Sequence, residues 1–335
     1  MTSAAVPLVE VHRGDFLESL HHGHVVVADT AGQIIESWGD PAAVVLPRSA
    51  VKMIQALPLV TSGAAAIRGL GDAQLALACA SHQGAPEHVD AITAWLADLG
   101  LSERDLRCGA QTSRDPDLRR RMLCDDQAPC QIHNNCSGKH TGFLTLSKHM
   151  DAGPEYIDPD HPVQRAVREV FEEVTRETSP GFGIDGCSAP NFASSMAGLA
   201  RAMGRFAGAS ARDTVLDKAA TRLVEAMYAR PDMVAGRGRA CTLLMRAAGE
   251  PVAFKTGAEG VFVAILPQRG LGVALKIADG ATRAAECAIA AVLCRLGVLD
   301  PAHPDVKLFL NPPDRNRREI VTGDIRPVAD LYTLR

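Results

Sequence analysis

A serine and a lysine stand three residues apart near the start of the chain, at Ser49 and Lys52. Residues at this spacing share one face of a helix, so the amine of the lysine can reach the hydroxyl of the serine. A neutral lysine that removes the serine proton creates a nucleophile for an amide or ester carbonyl. The alternative is a helix-capping serine beside a solvated lysine. The pair therefore needs a second feature before it indicates catalysis.

The sequence Lys-Thr-Gly at residues 255–257, at the end of a predicted strand, is that second feature. An early Ser-x-x-Lys on a helix and a late Lys-Thr-Gly on a strand follow the order of the penicillin-recognising serine hydrolases. A further serine, Ser81, ends a predicted helix, where simple capping by Gly84 is the alternative. No Ser-Asp-Asn sequence occurs, which argues against a β-lactam as the target.

Two turn-rich segments, residues 133–142 and 181–190, each present a cysteine, Cys136 and Cys187. Two thiolates with one or two nitrogen ligands from the first segment would suit zinc in a reducing environment. The candidate nitrogen ligands are His133, Lys139 and His140. No Cys-x-x-Cys pair occurs, so the spacing leaves the ligand set open.

Lysine is scarce in this chain, with seven lysines against twenty-eight arginines. Arginine stays protonated and can serve neither as a base nor as a metal ligand, whereas lysine can do both once it is neutral. Its ordinary pKa of about 10.4 leaves almost no neutral amine at pH 7. We therefore expect burial and neighbouring positive charge to lower the pKa of Lys52, Lys139 and Lys255.

The composition excludes several classes of protein. With 335 residues, a net charge of −4 and only short basic clusters, the chain lacks the charge pattern of a nucleic-acid-binding protein. No apolar run is long enough to cross a membrane. The odd set of nine cysteines and an N-terminal segment without a secretory signal predict a cytoplasmic protein with reduced thiols.

The order of the predicted elements indicates the fold class. Strand patterns occupy both ends of the chain, and helical patterns occupy the middle. We expect a single catalytic domain, residues 1–335, of the α/β (α+β) class, with an antiparallel sheet built from both chain ends and flanked by helices. An α/β lobe, residues 1–50 and 250–335, would carry an inserted helical lobe, residues 51–249. The predicted strands are residues 6–12, 25–29, 34–38, 252–255, 261–266, 272–277 and 319–321. The predicted helices are residues 49–60, 72–79, 86–99, 116–123, 163–175, 193–203, 211–228 and 281–296.

Taken together, the motifs resemble the Rhizobium etli-type L-asparaginases, the thermolabile asparaginase II group. The similarity runs over nearly the whole chain. The segments that carry it are Arg48-Ser49-x-x-Lys52, Ser81-His82, Asn135-Cys136-Ser137-Gly138-Lys139-His140, Gly183-Ile184-Asp185-Gly186-Cys187 and Lys255-x-Gly257-Ala258-Glu259-Gly260.

The resemblance implies a serine β-lactamase-like or penicillin-binding-protein-like fold, a homodimer and L-asparagine as the substrate. It implies two serine-lysine tandems, Ser49 with Lys52 and Ser81 with Lys255. It also implies a Zn²⁺ ion beside the active site. The implied zinc ligands are Cys136, Lys139 and Cys187, with a water molecule in the fourth position. The implied residues around the site are Arg48, His140, Asp185 and, nearby, Cys241. The sequence departs from the family pattern at residues 238–241, which bears on the role of Cys241.

From this chemistry we expect hydrolysis of L-asparagine to L-aspartate and ammonia by a serine-lysine amidohydrolase. Ser49 would be the nucleophile and Lys52 its base, while Ser81 and Lys255 would relay protons; the reverse assignment of the serines is the alternative. Two other functions are also considered. One is a zinc-dependent amide hydrolase using metal-bound water. The other is a non-enzymatic zinc-stabilised dimer.

Overall fold

The computed structural model describes residues 4–333, and the chain divides into two compact units. The first unit consists of residues up to Ala50, Ser194–Gly208, and residues from Leu243 onward. The second consists of Val51–Ala193 and Ala209–Thr242. No helix among residues 4–333 has both the length and the apolar character needed to span a membrane.

The first unit is built on an antiparallel sheet to which both ends of the chain contribute, as the sequence predicts. The central strand Phe16–Asp29 is long enough to pair with three others: Val6–Arg13 along its first half, and Ile34–Trp38 and Leu271–Ile277 along its second half. The main path through the sheet, in spatial order, is Pro313–Arg315, Val321–Pro327, Val6–Arg13, Phe16–Asp29, Leu271–Ile277, Val261–Leu266 and Ala253–Thr256.

Helices cover this sheet and explain its apolar strands. Every residue of Val261–Leu266 is buried, because the helices Met196–Ala207 and Thr282–Arg295 both contact that strand. A strand buried on both faces gives a continuous apolar run instead of an alternating one. The short strands Val44–Val45 and Ser194–Ser195 pair with each other. The unit also contains Pro267–Arg269, Pro304–Leu310 and Ala329–Tyr332 as short helices.

The segment Ser194–Gly208 belongs to the sheet-containing unit, although the sequence analysis counts these residues in the helical lobe. Glycine explains the placement. Gly204 lies so close to the strand residue Asp29 that a Cβ there would overlap its carbonyl oxygen. Gly272 on the neighbouring strand approaches Gly204 equally closely. Two glycines therefore allow the helix backbone to lie directly on the sheet.

The second unit is mainly helical. A two-stranded hairpin, Phe182–Ile184 with Pro190–Phe192, is paired within it. The α-helices, the last of which ends beyond Thr242, are Lys52–Gln55, Leu57–Thr61, Ala64–Ile67, Asp72–Ala78, Pro86–Asp98, Pro116–Cys124, Ser137–His149, Pro162–Thr175, Val215–Ala229, Pro231–Val234 and Ala240–Ala247. Short 3₁₀ helices lie at Glu103–Asp105, Gln131–His133 and Ala209–Ala211.

Two local predictions were wrong. Much of the segment expected to be turn-rich around Cys136 is the helix Ser137–His149, in which every residue from Ser137 to Ser147 is buried. A helix surrounded on all sides shows no amphipathic period, so its sequence gave no helical signal. The expected helix at residues 49–60 is instead a 3₁₀ turn, Arg48–Val51, followed by two short helices.

The close approach of helix and sheet predicts a strong effect of Gly272→Ala. An added Cβ would overlap backbone atoms of Met203 and Gly204, and overpacking of this kind costs about 1–3 kcal/mol, occasionally more. Urea denaturation should show at least this loss in the free energy of unfolding. Gly153→Ala is the matched control, because nothing lies within 4 Å of the Cβ position there. Equal stability of the two variants would contradict the packing described.

Candidate active site

Lys52 is completely buried, and its amine has three acceptors in the second unit. Its Nζ donates to the carbonyl oxygen of Ala80 at 2.5 Å, to Ser81 Oγ at 3.1 Å and to Cys136 Sγ at 3.1 Å. These three acceptors fix the position of the amine. Within this unit, the lysine of the Ser-x-x-Lys motif therefore contacts the second candidate serine, Ser81.

Cys136, Lys139 and Cys187 form a buried cluster. Cys136 precedes the helix Ser137–His149, whose first turn carries Lys139, and Cys187 lies in the turn of the hairpin. Lys139 Nζ donates to Cys187 Sγ at 3.1 Å. The Cys136 thiol donates to Asn135 Oδ1 at 3.1 Å. Its interaction with Cys187 raises the pKa of Cys136 to about 12, with burial acting in the same direction, and holds the pKa of Cys187 well below its ordinary range. Of the two thiols, Cys187 is therefore the more acidic.

The electrostatics of Lys139 run opposite to the sequence-based expectation. Burial lowers the pKa of Lys139, as expected, but Cys187, Cys136 and Asp185 together outweigh burial, so that the pKa is raised. The expectation of a lowered pKa was based on neighbouring cations. It did not include the Cys187 sulfur at hydrogen-bond distance from the Lys139 amine.

The donors of this cluster suit zinc in chemical type. Among residues 4–333, no three His, Cys, Asp or Glu side chains form a metal-binding group; here the third donor is a lysine. Bonds of about 2.3 Å from zinc to sulfur and about 2.0 Å to nitrogen require ligand atoms about 3.5 Å apart. The 3.1 Å between Lys139 Nζ and Cys187 Sγ is close to this separation. His133, an alternative ligand, instead accepts from the backbone N–H of Cys130 at 3.1 Å.

His140 and Asp185 flank the cluster. His140 is fully buried, and burial holds its pKa well below the ordinary value, so the ring is neutral. Asp185 is partly exposed and lies in the hairpin turn, where its backbone N–H donates to the carbonyl oxygen of Ala189 at 3.0 Å. Ser188 in the same turn adopts a φ of 70°, a conformation costly for a non-glycine residue. Cys241, near the start of the helix Ala240–Ala247, is also buried.

The remaining candidates, Arg48, Ser49 and Lys255, belong to the first unit. Arg48 adopts a φ of 52° immediately before the partly buried Ser49. Lys255 is completely buried on the strand Ala253–Thr256, and its Nζ donates to the carbonyl oxygen of Thr256 at 2.6 Å. Gly257 brings the strand end and the serine turn together, since a Cβ there would lie 2.7 Å from the Pro47 oxygen and 3.1 Å from the Ala50 nitrogen.

Sequence reasoning did not assign a role to His82 or Ser137. His82 Nδ1 accepts from the N–H of Gly84 at 3.1 Å, so its Nε2 carries the proton and donates to Ser137 Oγ at 3.0 Å. Ser137 in turn donates to the Ile132 carbonyl at 2.8 Å. Each residue directly follows a candidate site residue, Ser81 or Cys136. This position next to a candidate residue was the signal in the sequence that could have drawn attention to them. Their hydrogen bond connects the segment that contains Ser81 with the segment that contains Cys136.

A stacked pair of histidines predicts an acid-sensitive fold. The rings of His82 and His88 lie 4.9 Å apart, and burial lowers the pKa of both, although the bond to the Asp232 carbonyl partly opposes this at His88. In the unfolded chain both have a pKa of about 6.5. Below that pH the unfolded state binds more protons, so the free energy of unfolding should fall by up to about 1.4 kcal/mol per pH unit for each histidine.

Urea denaturation between pH 7.5 and pH 5.5 measures this slope. His88→Gln should reduce it, because the amide can still donate to the Asp232 carbonyl but does not titrate. The exposed His149 provides the matched control, His149→Gln, which should keep the wild-type slope. A slope unchanged in His88→Gln would show that this histidine does not contribute to it.

The comparisons with known proteins give both structural and family likenesses. A solved structure titled Mglu has 14% sequence identity and a TM-score of 0.40, and the match covers 78% of this chain and 64% of the Mglu chain. The chain thus spans slightly less than two thirds of the length of Mglu. A beta-lactamase from Mycobacterium bovis has 16% identity and a TM-score of 0.33, with 82% of this chain and 94% of that chain covered. No curated protein matches.

The family comparison covers almost the whole chain. Residues 9–327 match the family described as L-asparaginase II. This range includes all but the first three residues of the sheet strands, together with the buried lysines and both cysteines of the cluster. The chain therefore belongs to the L-asparaginase II family.

Proposed function

We propose that this protein hydrolyses the side-chain amide of L-asparagine, giving L-aspartate and ammonia. The family match over residues 9–327 supports the substrate and the reaction. The observation that carries the proposal is the buried amine of Lys52, 3.1 Å from Ser81 Oγ and 3.1 Å from Cys136 Sγ. A lysine amine at hydrogen-bond distance from a serine hydroxyl can exchange a proton with it, and acyl transfer on serine requires such proton transfers.

In the proposed reaction Ser49 is the nucleophile. Its Oγ bonds to the side-chain carbonyl carbon of asparagine while Lys52 takes the hydroxyl proton. The carbon–nitrogen bond then breaks, and the leaving amine takes that proton and departs as ammonia. Water hydrolyses the resulting ester to aspartate and restores Ser49. Ser81 and Lys255 relay protons during these steps, and the contact between Lys52 and Ser81 supports this role.

The charged groups of asparagine need partners of opposite charge. The Arg48 guanidinium suits the α-carboxylate, since it can donate two parallel hydrogen bonds. The carboxylate of Asp185 suits the α-ammonium group. His140 contributes a neutral, buried ring. Together these three side chains orient the substrate, so that its amide carbon meets the nucleophile.

We also propose that Cys136, Lys139 and Cys187 hold a zinc ion. The support is the donor set, two sulfurs and an amine within one buried cluster. When bound, zinc supplies a fixed positive charge beside the substrate. Asp185 remains the partner of the substrate's ammonium group. The two serine-lysine tandems carry out the proton transfers and the covalent steps.

A cytoplasmic homodimer completes the proposal. The cysteines among residues 4–333 form no disulfide, which supports a reducing compartment. The buried ones are Cys79, Cys108, Cys136, Cys187, Cys241 and Cys287. The homodimer follows from the resemblance to the Rhizobium etli-type enzymes, and sedimentation or light scattering would test it.

Removal of the proposed nucleophile should abolish ammonia release. We expect Ser49→Ala to lower kcat by at least about a thousandfold, and Ser81→Ala to lower it by about a hundredfold or more through loss of proton transfer. The measurement is ammonia released from L-asparagine and from L-glutamine. Ser62→Ala, at an exposed serine, is the matched control and should behave as wild type.

The other outcomes separate the competing functions. Equal release by wild type, Ser49→Ala and Ser81→Ala would contradict the serine mechanism and favour hydrolysis by the metal site. A larger loss in Ser81→Ala than in Ser49→Ala would exchange the roles of the two serines. No release by the wild type from either amide would favour a non-enzymatic zinc-stabilised dimer.

Loss of the metal should impair binding more than chemistry. We expect Cys187→Ser to lower the bound zinc, measured by elemental analysis, and to raise KM while kcat is partly retained. Cys124→Ser is the matched control, because Cys124 is exposed, and it should keep the wild-type zinc content. Complete loss of kcat on zinc removal would contradict an orienting role. Unchanged zinc content in Cys187→Ser would contradict the proposed ligand set.

A further inference from the structure

Tyr156 is completely buried and touches the ring of His140. Its hydroxyl accepts from the backbone N–H of Arg107 at 2.7 Å and lies 3.0 Å from His140 Nδ1. Burial raises the pKa of Tyr156, so the hydroxyl keeps its proton. The phenol oxygen therefore already accepts one hydrogen bond, and its own O–H group needs an acceptor.

The hydrogen-bond pattern determines which nitrogen of His140 carries the proton. If the Tyr156 hydroxyl donates to Nδ1, every group in this contact is satisfied, and the ring proton resides on Nε2. If Nδ1 carried the proton instead, two N–H groups would point at one oxygen, and the phenolic proton would be buried without an acceptor. An unsatisfied buried donor costs about 1–3 kcal/mol. The contact thus favours the Nε2–H form.

The opposite nitrogen of the ring has no partner. His140 Nε2 is buried and makes no hydrogen bond to any described residue. An N–H group that is buried, fixed in direction and unsatisfied is suited to an acceptor supplied by a ligand.

We propose that Tyr156 is a positioning residue that holds His140 in the Nε2–H tautomer, and that this N–H donates to an oxygen of the bound amino acid. The second clause rests on the proposed asparaginase function, whereas the first does not. Tyr156 itself does not touch the substrate. It acts through the ring, as partners of functional histidines commonly do.

The surroundings of Tyr156 keep its hydroxyl in place. Its carbonyl oxygen accepts from Gln164 Nε2 at 2.8 Å. The preceding residue, Glu155, accepts from Arg107 Nε at 3.0 Å, and Arg107 is the residue whose backbone N–H reaches the phenol. Phe143 packs at a ring distance of 5.8 Å from His140. The phenol and the imidazole are thus both confined, and the proton arrangement between them is fixed.

The tautomer can be measured without any enzyme activity. In protein labelled with ¹⁵N-histidine, long-range proton–nitrogen correlation spectra distinguish a ring protonated on Nε2 from one protonated on Nδ1. The His140 signals are those missing from His140→Gln. The wild type should show the Nε2–H form, and Tyr156→Phe should lose it or become a mixture. A wild-type ring protonated on Nδ1 would overturn the proposal.

Kinetics provide the second test. Tyr156→Phe should raise KM for L-asparagine by about fivefold to a hundredfold, the value of one hydrogen bond. His140→Gln places an amide N–H near the Nε2 position regardless of the tyrosine, whereas His140→Asn, being shorter, does not. We therefore expect His140→Gln to bind substrate more tightly than His140→Asn, and Tyr156→Phe to change KM less than twofold in the His140→Gln background.

The control and the contrary outcomes are distinct. Tyr228→Phe, the same change at a partly exposed tyrosine, should leave the spectrum and KM as in wild type. If Tyr156→Phe raises KM equally in both backgrounds, its role is structural and the positioning proposal fails. If the tautomer behaves as expected while no asparagine is hydrolysed, the function fails and the tautomer assignment stands. Thermal unfolding of each variant verifies that it is folded.

Discussion

The candidate site of the second unit depends on one buried amine, that of Lys52. The Lys52 side chain is completely buried, and among residues 4–333 its amine bonds to the Ala80 carbonyl, the Ser81 hydroxyl and the Cys136 sulfur. Removing one partner of a buried hydrogen bond usually costs about 1–3 kcal/mol, because the other partner is left unsatisfied. Lys52, the proposed base, therefore holds the segment that ends in Ser81 at a fixed distance from the segment that ends in Cys136.

A second tie reinforces the first. The bond between His82 and Ser137 joins the same two segments one residue further along. Gly138 allows the helix Ser137–His149 to approach the helix Asp72–Ala78, since a Cβ there would lie 2.5 Å from the Leu77 oxygen. These contacts are short and buried, and each involves either a glycine or a hydrogen-bond donor paired with an acceptor. Such support of reacting groups by neighbouring residues determines how accurately an active site is arranged.

Much of the fold could be predicted from the sequence. The alternating strands at both ends, the helices introduced by proline, and the pairing of the ends in one antiparallel sheet follow from local patterns. The helix Ser137–His149 could not be predicted, because its residues from Ser137 to Ser147 are buried on all sides, and periodicity needs a solvent face. The placement of Ser194–Gly208 on the sheet depends on tertiary contacts of Gly204, which no local pattern encodes.

The candidate site, like the fold, could be predicted only in part from the sequence. Residue type and spacing made Lys52, Ser81 and both cysteines of the cluster candidates, because few side chains can serve as nucleophile, base or soft ligand. The raised pKa of Lys139 was missed, since it comes from a thiolate distant in sequence. Tyr156 was missed because a tyrosine that acts through another ring has no motif. In both cases the sequence does not show which side chain lies beside the residue in the folded protein.

The enclosed helix Ser137–His149 also limits how the protein can be labelled. Solvent-exposed positions begin only at Lys148, nine residues beyond Lys139, or about 13 Å along the helix axis. A fluorophore or spin label placed there would report on the cluster only over that distance. A probe of the chemistry at Lys139 and His140 must therefore be intrinsic, such as an isotope in a ring or a metal ion with its own spectrum.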